Sequence, residues 1–194
     1  MSDDPAETAV EAKEKDRTVA LVIAVLALLL ALSEAGAKRA QHLSTESNIE
    51  ASDLFNFYQA KKIRSTIAET ASQTLESQLA GVTDEKARDA IEKQVAGFKA
   101  VAVQYEHDPK KPEDSLDAIQ ERANQAGEAR ELANRRLEHY ELGSGAVQIA
   151  IVLASAAIIT GVGALMWFSV ALGAVGVILM ALGFFAPTMI SFIG

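Results

Sequence analysis

The chain has 194 residues, 18 Lys and Arg against 26 Asp and Glu, a formal net charge of −8 and no cysteine. Such an acidic chain lacks the surplus of basic side chains that non-specific nucleic-acid binding needs, so nucleic acid is not an expected partner. The missing thiols exclude disulfides, zinc sites built on thiolates and cysteine nucleophiles.

Apolar residues make up 49% of the chain and charged ones 23%, and the two sets occupy different stretches. That segregation predicts an all-α membrane protein with three transmembrane helices, one amino-terminal and two carboxy-terminal, around a long helical-hairpin or coiled-coil middle. Residues 1–17 form a polar, acidic tail ending in Lys13, Lys15 and Arg17. Residues 18–37 are apolar apart from Glu34 and read as the first span, since a helix crossing the bilayer needs about 20 residues. A cleavable signal peptide competes with a retained anchor here, because Ala35-Gly36-Ala37 has the small-residue pattern of a cleavage site. The long acidic leader favours the anchor.

Residues 38–142 carry nearly all the remaining charge. Ala60, Ile63, Ile67, Ala71, Leu75 and Leu79 recur every three or four residues and predict one helix. Gly81 reads as its stop and Thr83 as the next N-cap. A second helix follows, with Ala87, Ile91, Phe98, Val101, Val103 and Tyr105 as apolar candidates. Pro109 and Pro112 break it. A third helix carries Leu116, Ile119, Ala123, Ala126, Arg130, Ala133, Leu137 and Tyr140, the 3-4 spacing of a coiled-coil seam. The second and third helices are expected to form one interrupted leg returning along the first, with Gly143-Ser144-Gly145 as a swivel into the membrane.

No charged residue follows Glu141. Residues 146–194 as one helix would run roughly 73 Å, more than twice the ~30 Å hydrocarbon core. Two spans are therefore expected, over 146–165 and 169–190, with a tight turn near Gly161 and Trp167. Pro187 sits near the end of the last, where it disturbs a helix least.

All three spans carry small residues at 3-4 spacing, which permit close backbone approach in lipid. Ala24, Ala27 and Ala31 mark the first, Ala157 and Gly161 the second, Gly173 and Gly176 the third. Two uses compete, packing within one chain and assembly of several copies. Glu34 falls on the first of these stripes, either as a functional intramembrane carboxylate or as a helix-end group that reaches water, with Lys38 as its i,i+4 partner. The least generic stretch holds Asp53, Phe55, Phe57, Tyr58, Gln59 and Lys62 and reads as a juxtamembrane interaction segment whose aromatics pack on the returning leg. His42, His107 and His139 have no metal-ligand spacing, and no nucleophile elbow or phosphate-cradling loop occurs, so no catalytic, cofactor-binding or metal site is expected.

Ile49-Glu-Ala-Ser-Asp53, Phe57-Tyr58-Gln59-Ala60-Lys61 and Gln148-Ile-Ala-Ile-Val-Leu-Ala-Ser155 resemble a bacterial membrane family known as domain of unknown function 4337. The likeness covers about residues 18–190. Phe55 matches the bulky aromatic usual there, whereas the basic turn common between the family's last two spans is missing. The resemblance implies the fold and a membrane location, and no activity. The expected role is a non-enzymatic, multi-pass protein of the inner membrane, an oligomerising scaffold or adaptor whose partners are the bilayer and either further copies or another membrane protein. A small channel or transport-associated subunit is the alternative, resting on Glu34 and Gln148 near span ends, and an enzyme comes third. Lys13, Lys15 and Arg17 abut the first span and favour an inside amino terminus with the middle in the periplasm, while the basic residues of the middle itself argue for the reverse.

Overall fold

The computed structural model describes the backbone of residues 5–189 and the side chains of residues 17–189. Lys13 and Lys15 lie outside the described side chains. Four α-helices follow in order, α1 Pro5–Leu79, α2 Glu85–Glu106, α3 Leu116–Thr160 and α4 Gly163–Phe185, with a single 3-10 turn at Pro112–Asp114 and no strand among the described residues. Three of them, α1, α3 and α4, are long and apolar enough to cross a membrane.

Each break has a local cause. After Leu79 the amides of Gly81 and Val82 bond back to the carbonyls of Gln78 and Leu79, and Asp84 then caps α2 by accepting from the amides of Lys86 (2.8 Å) and Ala87 (3.4 Å). The cap is thus Asp84, one residue past the expected Thr83. Pro112 opens the 3-10 turn, and the Ser115 hydroxyl accepts from the Ala118 amide at the head of α3. Between α3 and α4 the break is two residues, 161 and 162, and ends before the expected edge at 165. Gly161 adopts φ +70, a left-handed conformation that terminates helices and suits glycine. At the other end α4 stops at Phe185, because the residue before Pro187 is pushed out of helical geometry.

The expected swivel is not there. Helix α3 runs unbroken through Gly143-Ser144-Gly145. Gly143 is used for approach instead, since a Cβ on it would lie 3.1 Å from the Gly176 carbonyl oxygen and 3.1 Å from Met180 Cγ.

The described chain divides into two compact units, Met1–Thr45 with Arg130–Gly194, and Glu46–Ala129. In the first, α3 runs antiparallel to α1 and α4 antiparallel to α3. Leu26, Val147 and Ala150 form its core, flanked by Val22, Leu29, Leu30, Ile151, Leu172 and Met180. Glycines and serines make the helix contacts. A Cβ on Gly173 would fall 2.6 Å from Leu26 Cδ2, and one on Gly176 2.7 Å from Val147 Cγ2. The Ser169 hydroxyl donates to the Ala150 carbonyl (2.7 Å) and the Ser33 hydroxyl to that of Tyr140 (2.8 Å). In the second unit, α2 returns along α1 through Lys99 to Glu76 (2.6 Å) and Lys62 to Glu106 (2.7 Å), and the head of α3 buries Leu116 and Ile119.

The buried face of α1 recurs every seven residues, at Val19, Leu26, Ser33 and Ala40 in the first unit and Leu54, Lys61 and Ala68 in the second. Ile63 and Ile67, whose recurrence helps predict this helix, are 58% and 62% exposed, while Lys61, Ser65 and Ser72 are buried. Ala24, Ala27 and Ala31 are likewise exposed, because at about 100° per residue they point some 100–160° away from Leu26.

Candidate functional site

The 53–64 segment of α1 is organised by its basic residues. Lys61 sits on the seven-residue seam and is buried, with its ammonium donating to the Asp114 carbonyl and lying 5.7 Å from the centre of the Phe57 ring. Lys62, one residue round the helix, faces α2, and its ion pair with Glu106 raises its own pKa and lowers that of the carboxyl, through the hydrogen bond first. Arg64 lies 5.9 Å from the centre of the Tyr105 ring. Phe55 and Phe57 are 55% and 43% exposed. Leu54 occupies the seam, which leaves the positions one and three residues on at its flanks. Tyr58 is half-buried, and Asp53 and Gln59 are exposed.

Glu34 is exposed next to the buried Ser33, and among the described residues it forms no ion pair with Lys38. Ala157, Gly173 and Gly176 lie on buried faces, whereas Gly161 forms the exposed turn.

A second place went unread in the sequence. In the first unit a cavity of about 450 Å³ opens between α1, α3 and the end of α4. Arg39 and Arg136 line it, with Tyr140, and its apolar wall is Ala40, Leu43 and Phe184. Gly36 gives it its shape: a Cβ there would sit 2.8 Å from Tyr140 Cε1, so only glycine lets the ring lie against α1. Gly183 does the same for α4, where a Cβ would meet His139 Cβ at 2.8 Å, and this brings Phe184 to the rim. No carboxylate lines the cavity, neither arginine has an ion-pair partner among the described residues, and Arg136 Nε is buried with no hydrogen-bond partner among them. In the sequence the pair shows only as Lys38-Arg39 and Arg135-Arg136 at the two borders of the apolar zones.

The family model for domain of unknown function 4337 matches residues 15–186. The chain belongs to that family. In this member the matched region takes in all of α2, α3 and α4, and both the 53–64 segment and the arginine cavity. No curated protein and no solved structure matches the chain.

Proposed function

We propose that the first unit is a three-helix membrane domain, and that the chain is a non-enzymatic scaffold or adaptor that assembles in the bilayer and presents its charged helices to a partner. The observation that carries the membrane reading is the distribution of bulk. The inside of the unit holds Ser33, Ala150, Ala154, Ser169, Gly173 and Gly176, while Leu21, Leu28, Val152, Ile159, Trp167 and Ile178 point outward at 59–85% exposure. In water such a surface would drive association, whereas lipid solvates it as well as protein does.

The heights of the contacts agree with this. Leu26, Ala150 and Gly173 meet at one level. Stepping about ten residues either way, or about 15 Å, reaches 16 and 36 on α1, 140 and 160 on α3, and 163 and 183 on α4. This window is set to the ~30 Å of a hydrocarbon core. Its charged residues lie near the ends: Asp16 and Arg17 at one, Glu34 and Glu141 at the other. Trp167 and Phe168 then fall toward one interface and Tyr140, Phe184 and Phe185 at the other, as aromatic residues favour.

Two features support assembly. Ala20, Ala24, Ala27 and Ala31 form an exposed small-residue face turned away from the intrachain seam. In the second unit Ile63, Ile67, Phe98, Val101 and Val103 are exposed on helices that are otherwise charged. Alkaline carbonate washing tests the membrane reading, which requires the chain in the pellet and fails if it is recovered in the aqueous fraction. Photo-crosslinking residues at Phe55 and Ile63 test the scaffold reading. Adducts in intact cells are expected; a monomer at every detergent concentration together with no adducts would refute it.

A further inference from the structure

We propose that the cavity between Arg39, Arg136 and Tyr140 binds a phosphate-bearing anion. Its chemistry is that of an anion site. Each guanidinium offers five donors in a planar fork that matches phosphate oxygens, and Arg39 and Arg136 line one space with no carboxylate in its lining. Tyr140 adds a ring and a hydroxyl to the lining.

The volume and the walls select among anions. About 450 Å³ lies within the range of small-molecule sites, and is roomier than one inorganic ion requires. Ala40, Leu43 and Phe184 give one side of the cavity an apolar surface. A phosphate carrying an apolar tail meets both halves. The position fits the same source, and this part rests on the membrane reading above. Arg39 lies three residues beyond Gly36, and Arg136 four residues from Tyr140 on the side away from the apolar zone, so both backbones stand about 5–6 Å outside the hydrocarbon window, at headgroup depth. Basic pockets between helices at that depth bind anionic headgroups. The phosphate therefore comes from an anionic phospholipid or, if the cavity takes the ion alone, from solution.

Native mass spectrometry of the full chain in detergent tests this, with phosphatidylglycerol, phosphatidylcholine and inorganic phosphate as separate probes. The wild-type chain is expected to retain one phosphatidylglycerol in preference to phosphatidylcholine. R39Q, at an exposed position, and the double variant R39Q/R136Q should weaken retention, the double by about tenfold or more, as loss of charge-assisted hydrogen bonds implies. R122Q, on an exposed arginine outside the cavity, should leave it unchanged. Circular dichroism confirms that each variant is helical, and R39K and R136K, which keep the charge and lose the fork, should bind more weakly than wild type. Phosphatidylglycerol retained in excess inorganic phosphate identifies the lipid source; inorganic phosphate bound alone, and lost in R39Q, identifies the soluble one. Equal retention of the two lipids with no phosphate binding, or retention unmoved in a helical R39Q/R136Q chain, overturns the proposal. Carbonate fractionation is read separately, so a chain that leaves the membrane yet binds phosphate through Arg39 fails only the membrane reading.

Discussion

Replacing Gly176 by alanine should push α3 and α4 apart, while the same change at Gly145 should not. A Cβ on Gly176 would lie 2.7 Å from Val147 Cγ2 and 3.0 Å from the Gly143 carbonyl oxygen. The first contact is a stiff β-branched side chain and the second is backbone, so neither yields without moving a helix. Overpacking of this kind costs about 1–3 kcal/mol. Alanine returns up to about 1 kcal/mol of helix propensity, so G176A should lose about 0–2 kcal/mol net. Around Gly145 nothing lies within 4 Å, so G145A should gain up to about 1 kcal/mol from propensity alone. The quantity to measure is the gap between the two variants, about 1–3 kcal/mol. It can be followed by circular dichroism during unfolding in mixed micelles. Equal stability of the two variants, or a G176A chain more stable than G145A, would refute the close-packed α3–α4 contact.

Three further outcomes follow from the same structure. Ser169→Ala removes the hydroxyl bonded to the Ala150 carbonyl and should cost about 0.5–1.5 kcal/mol in the same unfolding assay, with no loss of helix content. The Lys62–Glu106 pair should stabilise the second unit only between its two titrations. Glu106 is held below its ordinary value, so its contribution is present above the usual carboxylate range and is lost as pH falls through its lowered pKa. Lys62 is held above its ordinary value, so its contribution persists through neutral pH and disappears as pH rises through its raised pKa; thermal melts of E106Q and wild type should converge at both extremes and differ between them. Finally, the absence of cysteine makes Ser77→Cys a clean single-thiol probe, and a membrane-impermeant maleimide should label it in intact cells if the middle region lies outside.

The helical class and the three apolar zones were plain in the sequence, because a charge-free run of that length has few other uses. The third seam was also legible: Leu116, Ile119, Ala126 and Ala133 are buried, as a 3-4 repeat of small and apolar residues would have them. In the last helix the small residues Ser169, Gly173, Gly176 and Gly183 mark the buried face. Helix α1 misled for a physical reason. Its seam passes through Ser33, Lys61, Ser65 and Ser72, polar residues that bury by bonding to backbone carbonyls, Ser33 and Ser65 on other helices and Lys61 at the 3-10 turn, and apolarity pointed instead to the outward Ile63 and Ile67. The arginine cavity was hidden for another reason. It joins Arg39 and Arg136 across nearly a hundred positions, and only the glycines at 36 and 183, which admit Tyr140 and bring Phe184 to the rim, close it.

The turn at Gly161 and Val162 has a consequence for where this protein can be approached. Two residues are too few to offer a binding loop, a cleavage site or room for an inserted tag without disturbing the helices they join. In the bilayer frame proposed above, the hairpin of α3 and α4 presents almost no surface to the compartment on that side. Antibodies, proteases and fusion partners aimed at this hairpin therefore have to be designed for its other end.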